Sequence, residues 1–170
     1  EAADCTSFRA LAARLNYLAQ DSPDVQFAAN EVCCDMARPN QDSWRKLNIL
    51  ARFILERESV VWSFEWQDEV DLVLRVFSDS DWAGCRRTRR STSGGAIMLG
   101  GHCLKTWSST QAPIALSSAE AEYYAMVEAA TRALGLRSML EEVGIGLSGA
   151  VELWSDSSAA RCFASRKGVG

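Results

Sequence analysis

The spacing of apolar residues divides the chain into two parts of different character. In the first part, apolar residues recur every three or four positions, which is the spacing of one buried helical face. This pattern predicts helices over residues 6–18, 22–38 and 42–55. The β-branched and aromatic run at residues 60–66 predicts a strand after them. The first part therefore reads as a small helical segment.

From residue 67 onward, short apolar stretches alternate with glycine-containing turns. The elements predicted here are strands over 72–77, 94–99 and 103–108, a long helix over 117–140, a strand over 151–155 and a short helix over 157–165. The order βββαβα predicts an α/β domain in which helices pack on a mixed sheet. We place the domain boundary between residues 66 and 67.

Composition agrees with a folded protein that acts inside the cell. Of the 170 residues, 48% are apolar and 24% charged, which excludes disordered and collagen-like classes. The apolar runs are far shorter than the roughly 18 to 20 residues of a membrane span, so we expect no membrane partner. Six cysteines without a CxxC pair are typical of reduced thiols. The single histidine, His102, falls in a predicted turn, where we expect it to be solvated rather than part of a zinc site or a catalytic triad.

Carboxylates stand where elements of the predicted sheet end or begin. Asp79 and Asp81 follow the first strand, Asp156 follows the fourth, and Glu122 lies near the start of the long helix. Ligand sites of α/β sheets gather at the carboxyl ends of strands, so these side chains can converge. Converging carboxylates repel unless a hard cation such as Mg²⁺ or Mn²⁺ joins them. The spacing alone is more typical of turn formers, helix caps and helix-start charges than of a metal site.

Four arginines lie within five residues between the first two predicted strands. Arg86, Arg87, Arg89 and Arg90 precede Ser91 in this run. Arginine pairs with phosphate oxygens in bidentate fashion, and serine hydroxyls can complete a phosphate site. A charged run is also typical of a solvated turn. The net charge of −4 therefore does not exclude a polyanionic partner, because a local basic surface is present.

Six segments carry a resemblance to a known family. They are SDSDWAG at 78–84, RRSTSG at 89–94, LSSAEAEY at 116–123, SDSSA at 155–159, FRALAARLNYL at 8–18 and DSPDVQFA at 21–28. The first four resemble, in the same order, the motifs of the ribonuclease H domain in copia-type LTR retrotransposon polyproteins. The other two resemble the stretch that connects reverse transcriptase to that domain. The resemblance covers nearly the whole chain.

The resemblance implies an endonuclease that hydrolyses the RNA strand of RNA–DNA hybrids with two divalent ions, Mg²⁺ or Mn²⁺. Asp79, Glu122 and Asp156 match the catalytic metal ligands of the family. Asp81 and Glu120 lie in the same motifs and stay open as alternatives, although Glu120 also completes a predicted capping box at the helix start.

The same resemblance implies how substrate and partners are bound. The arginine run at 86–90, Ser91, Ser117 and Ser118 are expected to hold the hybrid through its phosphates, so binding should weaken with salt. Of the two roles, Ser117 and Ser118 are better suited to capping the helix than to contacting phosphate. The expected partners are the RNA–DNA hybrid and the reverse-transcriptase domain of the same polyprotein. The implied location is a cytoplasmic retroelement particle or the nucleus.

Two departures from the family pattern change the expectations. The chain has Gly95 where the family often carries an aromatic residue, and basic residues where it usually carries acidic ones after Cys85. The chain also stops before the segment that supplies a fourth carboxylate in the family, so we expect a ribonuclease H-like domain that is truncated before its last strand and helix. We expect weak or no activity from this chain alone. The alternatives are an inactive relic that binds nucleic acid or serves as a scaffold, and an integrase-like nucleotidyl transferase.

Overall fold

The computed structural model describes residues 2–57, 59–67 and 72–168. The chain divides into two compact units, Glu1–Ser63 and Phe64–Gly170. The elements are α1 (Ala2–Leu18), α2 (Pro23–Cys33), α3 (Gln41–Glu56), β1 (Leu74–Asp81), β2 (Thr92–Leu99), β3 (His102–Thr110), α4 (Ser118–Glu142), β4 (Glu152–Trp154) and α5 (Ser158–Ala164). Within these residues, no helix combines the length and the apolar composition needed to cross a bilayer.

The first unit contains the three predicted helices, whose inward side chains form one core. Proline is favoured in the first helical turn, and α2 begins at Pro23 as expected, but it ends at Cys33, short of the predicted stop. The α3 helix begins after Asn40, whose side chain accepts a hydrogen bond from Ser43 N at 2.9 Å. The core residues are Phe8, Ala12, Ala19, Val25, Ala29, Val32, Leu47 and Leu50.

The strand predicted over residues 60–66 is wrong, because the described residues 59–67 form no strand. Their polar groups make isolated hydrogen bonds instead of a ladder with a neighbouring strand. Trp62 Nε1 donates to Asp21 O at 3.4 Å, and His102 Nε2 lies 2.6 Å from Glu65 O. The latter contact also corrects the expectation for His102, which begins β3 and is partly buried rather than solvated in a turn. Strand propensity gives no strand where no partner completes the ladder.

The second unit has the predicted order βββαβα and a mixed sheet in the order β3-β2-β1-β4. Adjacent strands are antiparallel except for β1 and β4, which are parallel. This α/β architecture confirms the predicted fold class and is compatible with a ribonuclease H-like fold. A parallel pair needs a crossover connection, and α4 supplies it.

Small residues let α4 lie close to the sheet. Alanines recur every fourth position along one face of this helix, and all of them are fully buried. They are Ala121, Ala125, Ala129 and Ala133. Larger side chains from the strands fill the space opposite them, including Leu74, Val76, Ile97 and Trp107. This close packing fixes the helix that carries Glu122 against β1.

The structure explains why glycine occupies position 95. Gly95 on β2 pairs with Trp107 on β3, and the Trp107 ring lies over the glycine. A Cβ atom at position 95 would lie 2.2 Å from Trp107 Cζ2 and 2.5 Å from Phe77 O. An aromatic ring thus lies against position 95, but it belongs to Trp107 on the adjacent strand and not to residue 95 itself.

We predict that Gly95→Ala lowers the free energy of unfolding by about 1–3 kcal/mol, because the added methyl group would overlap the buried Trp107 ring and the backbone of β1. Urea unfolding monitored by circular dichroism measures the change. Gly135→Ala is the matched control, since Gly135 lies in α4 with no atom within 4 Å of its added Cβ. This control should raise stability by about 0.5–1 kcal/mol. Equal stability of Gly95→Ala and the unmodified chain would contradict the proposed packing.

Candidate metal centre

Strand register brings two of the three candidate ligands to one end of the sheet. Phe77 on β1 pairs with Trp154 on β4 in the parallel register. Asp79 and Asp156 each lie two residues beyond this pair, toward the same end of the sheet. The first strand continues to Asp81, so Asp79 lies within β1, and the prediction that it follows the strand is wrong.

The third ligand comes from α4 and is held by the same strand. Ser80 donates twice to Glu122 Oε1, from its hydroxyl at 2.9 Å and from its backbone N–H at 3.3 Å. One carboxylate oxygen from each of Asp79, Glu122 and Asp156 lies within 4.8 Å of the others. Asp79 and Asp156 are exposed, whereas Glu122 is partly buried. The site is therefore open to solvent on the side of the two aspartates.

The electrostatics of this cluster suit a cation. Burial raises the pKa of the Glu122 carboxyl, and the charges of Asp79 and Asp156 raise this pKa further, whereas the hydrogen bonds from Ser80 lower it. Among the described residues, Glu122 Oε2 is one of few buried polar atoms without a hydrogen-bond partner. A hard divalent cation would supply that partner and would relieve the repulsion among the carboxylates. The three residues could thus hold a metal ion.

The two alternative carboxylates have other contacts. Asp81 lies over the backbone of Gly84, where an added Cβ atom would overlap the Asp81 carboxylate. Glu120 accepts hydrogen bonds from Leu116 N at 2.8 Å and from the Tyr124 hydroxyl at 2.9 Å. Neither residue belongs to the carboxylate cluster found among the described residues. The geometry thus favours Asp79 and Glu122 as ligands, the assignment preferred from the motifs.

A buried polar network connects the elements that carry the ligands. Gln111 Nε2 donates to Ser93 Oγ at 3.0 Å and to Ala121 O, in the first turns of α4, at 2.8 Å. Gln111 N also donates to Ser91 O, and Ser91 Oγ accepts from Ala83 N at 3.0 Å. The start of α4 is thereby tied to the turn after β1. Gln111 could not be predicted from the sequence, because no local pattern indicates that a glutamine between two elements is buried.

The residues expected to bind substrate fall into two groups. The arginines at 86–90 are exposed in the turn between β1 and β2. This turn is closed by hydrogen bonds from Arg89 N to Cys85 O at 2.7 Å and from Cys85 N to Arg90 O at 3.2 Å. Ser91 differs from the expectation, because its side chain is fully buried and holds the turn rather than facing a phosphate.

The two serines at the start of α4 are exposed. Ser117 Oγ accepts a hydrogen bond from Glu120 N at 3.2 Å, which is the capping role considered for it. Ser118 is the first residue of the helix. In α5 the cap is Ser157, whose hydroxyl accepts from Ala160 N, and not Asp156. Asp156 is therefore available to the carboxylate cluster.

Comparison with known proteins finds relatives among transposon polyproteins. A retrovirus-related Pol polyprotein from transposon RE2 of Arabidopsis thaliana is 31% identical over 157 residues, which is 92% of this chain and 11% of the polyprotein. The corresponding polyprotein from transposon TNT 1-94 of Nicotiana tabacum is 27% identical over 72% of this chain and 9% of its own length. The secreted RxLR effector protein 161 of Plasmopara viticola is 34% identical over 67% of this chain and 79% of its own length.

The chain thus spans about a tenth of the length of the Pol polyproteins that it matches. No protein-family model matches the chain. No solved structure matches it either.

We predict that Asp79→Asn lowers the affinity for Mn²⁺ by about tenfold or more, because it removes a charged oxygen ligand from the cluster. Isothermal titration calorimetry on the full chain measures the dissociation constant. Asp81→Asn is the matched control, with the same chemical change two residues away, and it should alter the affinity less than about twofold. Equal losses in the two variants, or no saturable Mn²⁺ binding by the unmodified chain, would contradict the ligand assignment.

Proposed function

The chain belongs to the family of copia-type retrovirus-related Pol polyproteins, and from this premise we propose that its second unit is a ribonuclease H domain that hydrolyses the RNA strand of RNA–DNA hybrids. The observation that supports this proposal most strongly is the convergence of Asp79, Glu122 and Asp156 within 4.8 Å. Their elements are β1, α4 and the segment after β4, in the chain order of the family motifs.

Asp79, Glu122 and Asp156 would hold two divalent ions, Mg²⁺ or Mn²⁺. Such ions supply Lewis-acid stabilisation of the negative charge that develops on a phosphodiester during hydrolysis. The chain itself contributes the placement of the ligands. Ser80 fixes Glu122 by two hydrogen bonds, and the exposed aspartates leave a phosphate free access from solvent.

The arginine turn at 86–90 would bind the hybrid through its phosphates. This turn follows β1, the strand that carries Asp79, so its charges lie on the same polypeptide segment as the first ligand. Contacts to phosphates carry no sequence information, and each releases counterions on binding. The proposed binding is therefore independent of sequence and weakens as salt is added. Ser118, exposed at the start of α4, would add a contact from the other side of the carboxylates.

The first unit would connect this domain to the reverse-transcriptase domain of the same polyprotein. A Pol polyprotein matches 92% of the chain, the helical unit included, and this match supports the proposed connection. The structure gives the unit its own core of buried apolar residues, as a connecting module needs. The location proposed for such a polyprotein is a retroelement particle in the cytoplasm, or the nucleus.

We predict slow, metal-dependent cleavage of the RNA strand when the full chain is incubated in excess over an end-labelled RNA–DNA hybrid with Mg²⁺ or Mn²⁺. Asp79→Asn should lower the single-turnover rate by about 100-fold or more, because lost Lewis-acid stabilisation of several kcal/mol corresponds to at least that factor. Denaturing gel electrophoresis resolves the products.

Asp81→Asn is again the control, and the same RNA paired with complementary RNA is the substrate control. Cleavage that survives EDTA, or that is equal in the Asp79→Asn and unmodified chains, would contradict the proposed enzyme. Hybrid binding without cleavage under all metal conditions would instead support the inactive relic that binds nucleic acid.

A further inference from the structure

An aromatic ring is exposed just after the strand that carries Asp79, one of the three clustered carboxylates. Trp82 directly follows β1, three residues after Asp79, and 45% of it is accessible to solvent. Its indole N–H donates to Ala115 O at 3.1 Å, in the loop between β3 and α4. This hydrogen bond restricts the orientation of the ring without covering it. The polar atom of the side chain is thereby satisfied, and the exposed remainder is apolar.

The loop that holds Trp82 adds further exposed apolar surface. Ile114 and Leu116 flank the acceptor Ala115, and they are 55% and 85% exposed. Leu116 also precedes the cap of α4, the helix that carries Glu122. We refer to this surface as the apolar rim, which consists of Trp82, Ile114 and Leu116. Large apolar side chains that are exposed together are typical of a binding surface.

The surroundings of the apolar rim indicate its partner. The exposed arginine turn begins at Arg86, four residues after Trp82, and Asp79 of the carboxylate cluster lies on the preceding strand. Surfaces that bind single nucleic-acid strands combine positive charge, which follows the backbone, with aromatic rings on which unpaired bases stack. The arginine charges favour a polyanion over an uncharged partner, and the aromatic ring among the exposed apolar side chains favours one that carries bases.

We propose that Trp82 is a stacking platform for one unpaired nucleotide of the bound nucleic acid, and that Ile114 and Leu116 extend this platform. This inference rests on the proposed function, and it names a residue that would contact the substrate of that function. Because its N–H already donates to Ala115, Trp82 has no donor left for a base edge. The contact is therefore sequence-tolerant, and it positions a strand over the carboxylates instead of selecting a sequence.

The test compares three variants of the full chain for binding to an RNA–DNA hybrid with a single-stranded overhang that contains 2-aminopurine. Calcium replaces magnesium in the buffer to limit cleavage. Trp82→Leu should raise the dissociation constant about tenfold and reduce 2-aminopurine quenching at one position of the hybrid, because base–aromatic stacking is lost. Trp82→Phe keeps a ring but not the N–H, and it should stay within about threefold of the unmodified chain.

Trp66→Leu is the control, since Trp66 is a 93% exposed tryptophan of the same unit. It should bind like the unmodified chain. If Trp82→Leu matches Trp66→Leu while the unmodified chain binds the hybrid, the stacking role is overturned and the proposed function stands. If Trp82→Phe binds as weakly as Trp82→Leu, the hydrogen bond to Ala115 explains the loss, and the stacking role is also overturned. An unmodified chain that binds no hybrid overturns the proposed function together with this inference.

Discussion

The mutual repulsion of three carboxylates is the constraint on which the rest of the second unit depends. Asp79, Glu122 and Asp156 are held within 4.8 Å of one another by separate elements, although like charges so close together disfavour ionisation. Burial raises the pKa of the Glu122 carboxyl, the charges of Asp79 and Asp156 raise this pKa further, and Glu122 Oε2 is buried without a hydrogen-bond partner. A fold keeps such a cluster only if its scaffold is rigid, and a bound cation would convert the repulsion into attraction.

The scaffold meets this requirement through backbone register and close packing. The parallel pairing of β1 with β4 sets two ligands side by side, and the alanine face of α4 brings the third to the same strand. Gln111 then connects the start of α4 to the serines of β2 and the adjoining turn. The hydrogen bonds of Gln111 join buried neutral groups, where water does not compete for them. Asp79 and Asp156 are left at the surface, where a metal and a polyanion can reach them.

Much of this arrangement could be predicted from local patterns, and the remainder depends on tertiary contacts. Periodicity and capping residues indicated the order βββαβα, because they act over a few neighbouring residues. The choice between Asp79 and Asp81 could not be made from spacing, since it depends on where the turn at Gly84 lies against the strand. Residues 60–66 have strand propensity but no strand partner, so propensity alone gave the wrong element. The burial of Ser91 and Gln111 likewise depends on packing that no short motif encodes.

Anomalous diffraction from crystals of the full chain grown with Mn²⁺ tests whether the three carboxylates form a metal site, because it locates the metal independently of catalysis. We expect anomalous density within coordination distance, about 2.0–2.3 Å, of oxygens from Asp79, Glu122 and Asp156. Density coordinated instead by Asp81 or Glu120, or no density at the cluster at saturating Mn²⁺, would contradict this assignment of the ligands.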